Sequence, residues 1–94
     1  MDQIEAVTAL LDQAEAAHGV YETTELNGVY DEDWARWYAA YAVDHGLGDV
    51  LGHAVATDRL AEFLVAAFGD YQRADPKPGN TWAGVIAHRI VAEL

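Results

Sequence analysis

The segment AAHGVYE, residues 16–22, returns as AAFGDYQ at residues 66–72, and this internal echo constrains the fold more than any other feature of the chain. At an offset of fifty, Leu10 pairs with Leu60, Ala16 with Ala66, Ala17 with Ala67, Gly19 with Gly69 and Tyr21 with Tyr71. At an offset of forty-eight, Trp34 pairs with Trp82, Ala35 with Ala83, Ala39 with Ala87 and Val43 with Val91. Alanine matches count for little between Ala-rich helices. Gly, Tyr and Trp recurring in one order at near-equal spacing are harder to ascribe to chance. The pattern predicts an all-α, four-helix unit built from two related helical hairpins, an internal duplication in which each copy buries the face the other cannot bury alone.

Periodicity supplies the elements. Ile4, Val7, Leu11, Ala14, His18 and Tyr21, stepping by three or four, predict a helix over 3–23. Asn27-Gly28 marks a turn, and Asp31 stands where an N-cap belongs, with Glu32 and Asp33 suited to the positive end of the helix dipole. The second helix carries the stripe Trp34, Trp37, Tyr38, Tyr41, His45 and stops at Gly46. Residues 46–56 read as a connection with one helical turn around Asp49–His53. Thr57 is expected to cap a third helix that turns Leu60, Phe63, Leu64, Ala67, Phe68 and Tyr71 inward and ends by Asp75, where DPKPGN begins. A fourth helix then runs from Asn80 or Thr81 to the end, with Trp82, Val85, Ile86, Ile90 and Leu94 inward. Hairpin one thus spans 3–45 and hairpin two 57–94, within one domain covering 1–94. A glycine inside a helix costs about 1 kcal/mol relative to alanine. Its recurrence at Gly19 and Gly69 predicts two close helix crossings, with a helix break at each glycine as the alternative.

Composition limits the function classes. Ninety-four residues, 52% of them hydrophobic, hold one core. Cysteine is absent, which excludes disulfides and thiolate metal sites, and serine is absent, which excludes a serine nucleophile. The net charge of −11 is uneven, with ten acids against Arg36 alone over 1–47 and six acids against four bases over 48–94. No basic patch is present to displace counterions from nucleic acid, so that partner is not expected. The acidity reads as a solvated surface more readily than as a dock for a basic protein. The start, MDQIEAVTALL, lacks the basic and apolar regions of a secretory signal, and no apolar run approaches the ~20 residues of a membrane span. A soluble, cytoplasmic protein without membrane contact is expected.

One asymmetry between the copies points to chemistry. His18 occupies the stripe position that Phe68 fills in the second copy. With Tyr21 and Glu22 beside it, and Trp34, Trp37 and Tyr38 arriving from the second helix, it would line a small aromatic-walled pocket containing a titratable group. The plainer reading, and the commoner one, is a buried histidine satisfied by a hydrogen bond. Glu15 and His18 have the Glu-x-x-His spacing of di-iron bundles, but those sites need a second such motif, and Val65 and Val85 stand where its glutamates would be. Neither a metal nor a cofactor is therefore expected.

The strings HGVYE and DEDWARWYAAYAV resemble a bacterial helical segment with a His-x-x-Tyr-Glu helix followed by an Asp-x-Asp-Trp-x-x-Trp-Tyr-Ala helix, sometimes appended to glyoxalase-like domains. The resemblance covers residues 18–43 and implies an architecture without a mechanism. The positions that match are His18, Tyr21, Glu22, Trp34, Trp37 and Tyr38; the second copy departs from the pattern with Phe68, Gln72, Val85 and Ile86. Any site it marks is therefore single.

No complete catalytic constellation stands out. The expectation is a small acidic binding or assembly module without catalysis of its own, working as a homo-oligomer or beside a larger protein. The alternative is a small enzyme or metabolite-binding protein that takes a small-molecule ligand in an aromatic pocket around His18.

Overall fold

The computed structural model describes residues 2–74 and 81–94, and every described element is helical. Helix α1, Gln3–Thr24, begins where the Asp2 carboxylate accepts the Glu5 N–H at 2.7 Å, a side-chain cap on an otherwise unpaired donor. Its buried residues Val7, Leu10, Leu11, Ala14 and His18 keep the expected three- and four-residue steps. Helix α2 spans Trp34–Asp44 and buries Ala35, Tyr38, Ala39 and Ala42. A short helix α3, Leu47–Leu51, follows; then come α4, Thr57–Arg73, and α5, Trp82–Glu93. No helix among the described residues is long and apolar enough to cross a membrane.

Among the described residues there are five helices, where four and one helical turn in the connection were expected. The fifth arises because Gly46 (φ 105°) and Gly52 (φ 82°) both take left-handed backbone, a conformation glycine adopts without a Cβ penalty, and so bracket one short helix. It starts earlier than the expected turn at Asp49–His53 because Leu47 is driven into the core, at 1% exposure. Two caps also differ from expectation. Asp31 does not cap α2: its Oδ1 accepts the Asp33 N–H at 2.9 Å while Oδ2 is taken by His18, and Asp33 occupies the cap position. Thr57 is the first residue of α4, with Ala56 before it and no side-chain cap. Thr81 does cap α5, accepting the Gly84 N–H at 3.3 Å. The expected start at Asn80 and the prolines of DPKPGN lie outside the described residues.

The most extensive helix contacts join α1 to α5 and α2 to α4; the pairs adjacent in sequence, α1 with α2 and α4 with α5, touch less. Leu11, Leu47, Leu60, Ile86 and Ile90 fill the centre. Fully buried Ala14, Ala39 and Ala87 stand between these larger side chains, and small residues at a contact let helix axes come close. The glycine crossings are corrected accordingly. A Cβ on Gly19 would meet nothing within 4 Å, and one on Gly69 would meet only the Arg73 side chain. Both glycines sit inside continuous helices, so neither a crossing nor a break explains them.

Candidate ligand pocket

His18 is 6% exposed on the inward face of α1, and its ring is held by two carboxylates. Nε2 lies 2.8 Å from Asp31 Oδ2, and Nδ1 lies 3.5 Å from Glu22 Oε1 one helical turn on. Asp31 reaches it because the chain reverses after α1: Asn27 (φ 53°) and Gly28 (φ 80°) take left-handed backbone, and the Gly28 N–H returns to the Glu22 carbonyl at 2.8 Å. A buried imidazole needs partners for its polar atoms, and these two acids supply them. The contact also ties α1 to the entry of α2.

Beside His18 opens a pocket of about 340 Å³. Its acidic lining is Glu15, Glu22 and Asp31; its aromatic lining is Tyr30, Trp34, Tyr38, Phe68 and Trp82. Four of those rings form a closed circuit. Trp34 meets Tyr38 at 5.9 Å between centroids and 90° between planes, and Tyr38 meets Trp82 at 5.8 Å and 61°. Trp82 then meets Phe68 at 6.1 Å and 81°, and Phe68 returns to Trp34 at 5.3 Å and 68°. Edge-to-face contacts of this kind satisfy the ring quadrupoles and fix each ring against its neighbour. Trp82 is further oriented by its Nε1–H, which donates to Glu15 Oε2 and links α5 to α1. Burial, followed by the nearby Glu15 and Glu22 carboxylates, pushes the Tyr38 phenol up to about 12, so it stays protonated and neutral.

Of the residues singled out from sequence, His18, Glu22, Trp34 and Tyr38 line this pocket. Tyr21 and Trp37 flank the imidazole without reaching the pocket, with centroids 6.0 and 4.9 Å from His18 and 5.6 Å from each other. They border a separate hollow with Asp31, Asp33 and Arg36. Tyr30 and Trp82 also line it; the sequence marks both as aromatic residues able to stack on a flat ligand, though such residues are more often core. Glu15, Asp31 and Phe68 are not foreseen as pocket residues. The repeat holds a signal for Phe68, which pairs with His18 at the offset of fifty, and nothing local marks Asp31, which reads as a cap.

Glu15 and His18 do not act as a metal pair. Glu15 is committed to Trp82 and His18 to Asp31, and among the described residues no group of three or more His, Asp or Glu side chains is placed to hold a metal ion. The arrangement offers instead a ring-walled, negatively charged recess. Comparison with protein-family models, with curated proteins and with solved structures returned no match.

Proposed function

We propose that this chain is a small binding module, without catalysis of its own, and that its ligand site is the pocket beside His18. The observation that carries the reading is the pocket itself, about 340 Å³ and at the small end of the range for ligand sites, where side chains of α1, α2, α4 and α5 meet. Binding is favoured over catalysis by the state of its polar groups. Both His18 nitrogens face carboxylates, the Tyr38 phenol holds its proton, and among the described residues the lining includes no serine, cysteine or lysine.

The two-hairpin duplication belongs to the same proposal. It is supported by burial at matched positions, where Leu10 and Leu60, Ala35 and Ala83, and Ala39 and Ala87 are all core. It is also supported by the exchange of partners, since α1 packs on α5 as α4 packs on α2. Assembly with a second copy or a larger protein draws support from exposed Val29 and Tyr30, at 64% and 69%, adjacent in the turn before α2.

A small-molecule fragment screen, read on the indole N–H resonances, tests the proposal. Hits are expected to move Trp34 and Trp82 together and to leave Trp37 in place. A screen that moves none of the three, with sedimentation giving a dimer that Val29→Asp dissociates, would replace the ligand reading with the assembly reading.

A further inference from the structure

We infer that the pocket beside His18 binds a small organic cation with a methylated ammonium head. The inference rests on reading that pocket as the ligand site and adds the chemistry of the ligand. Among the described residues, three acids, Glu15, Glu22 and Asp31, line the recess against one histidine, His18. Among the described residues no arginine or lysine lines it. An anionic ligand would be repelled, and a cation attracted, by a field strong enough to contribute to the raised Tyr38 phenol.

Acidity alone would describe a solvated face; the rings make it a site. Trp34, Tyr38, Phe68 and Trp82 form a closed edge-to-face circuit, so the walls are fixed before any ligand arrives. Tryptophan and tyrosine faces attract a cation through the ring quadrupole, and such contacts gain strength where water is excluded. A neutral, flat molecule would gain from the rings and nothing from the acids. A phosphate-bearing molecule would gain from neither.

The state of the acceptors favours methylation. Glu15 already accepts the Trp82 indole N–H, and Asp31 already accepts from His18 or pairs with it while taking the Asp33 N–H, which leaves Glu22, 3.5 Å from His18 Nδ1, as the least engaged of the three acids. A primary ammonium brings three N–H donors that need acceptors of their own. A trimethylammonium group brings none, and its charge is spread over methyl groups that pack against ring faces.

The decisive probes are choline, its uncharged isostere in which a tert-butyl group replaces the trimethylammonium, and ethanolamine, titrated at constant ionic strength while the Trp34 and Trp82 indole N–H resonances are followed. Choline is expected to bind about tenfold more tightly than the isostere and more tightly than ethanolamine. In Glu22→Gln, whose parent side chain is already 32% exposed and so replaceable without opening the core, choline should weaken by roughly three- to tenfold while the isostere is unchanged. Equal binding of choline and the isostere would overturn the cation inference and leave the pocket reading standing. Tighter binding of ethanolamine than choline would overturn the preference for methylation. If none of these probes, and no fragment, moves Trp34 or Trp82, the pocket reading falls and this inference with it.

Discussion

His18 of α1 and Phe68 of α4, which pair at the sequence offset of fifty, reach the same pocket by different chemistry. Phe68 packs against rings, Trp34, Tyr71 and Trp82. His18 is buried as deeply as a core residue and needs acids on both sides of its ring. The difference explains part of the uneven charge along the chain. Glu15, Glu22 and Asp31 are three of the ten acids of residues 1–47, and all three face this one recess. Helix α1 and the turn after it supply the acids, and Trp34 and Tyr38 of α2, Phe68 of α4 and Trp82 of α5 supply the ring circuit.

The contrast can be broken first on the apolar side. Ile86 occupies in α5 the position that Tyr38 holds in α2, at 1% exposure, and Ile86→Ala is expected to lose about 2–5 kcal/mol in urea unfolding through transfer and cavity terms. A loss well under that range would mean the second hairpin is not held by packing alone.

His18→Phe makes the first hairpin copy the second. It should lose about 1–3 kcal/mol, because Asp31, at 11% side-chain exposure, keeps its charge and loses its partner. Adding Asp31→Asn should recover part of that loss. A His18→Phe protein more stable than the parent would show that the imidazole is retained at a cost to the fold.

The two helical glycines sharpen the comparison at lower cost. Gly19→Ala adds a methyl group to open space inside α1 and should gain about 0.5–1 kcal/mol. Gly69→Ala should gain less, because its Cβ would lie 3.2 Å from Arg73 Nη1 and that side chain must move. Thermal melts of both variants check the order.

The smallest effect lies on the outer surface of the second hairpin. A hydrogen bond from Arg89, with Arg73 contributing, holds the Asp70 carboxyl below its usual range, and Arg89 does the same to Glu93. A folded-state pKa that is depressed gives stability present above the usual carboxylate range and lost as pH falls through the lowered value. Both acids are fully exposed, so solvent screens the contribution to little. Carboxyl NMR should show Arg89→Gln moving both midpoints upward.

Helix boundaries were readable because they depend on local spacing. The three- and four-residue steps from Ile4 predict a helix over 3–23, and α1 spans Gln3–Thr24. The pocket was readable only in part, because its contacts join residues far apart in the chain. His18 and Asp31 are 13 positions apart, and Glu15 and Trp82 are 67 apart. An aspartate before a helix looks the same whether it caps that helix or binds a distant imidazole. The repeated glycines misled for a different reason: their spacing is real, yet no packing contact in the structure requires either of them.

The exchange of partners between hairpins also governs when the chain can fold. Among the described helices, α1, the first in chain order, packs chiefly against α5, the last in chain order. Until α5 has been synthesised, α1, with its apolar stripe of Val7, Leu10 and Leu11, lacks the helix it contacts most. Closing so long a loop carries an entropic cost before any contact repays it. Residues 1–74 alone are therefore expected to pack less stably than with α5 present, and the acids that crowd residues 1–47 favour their staying dispersed in water.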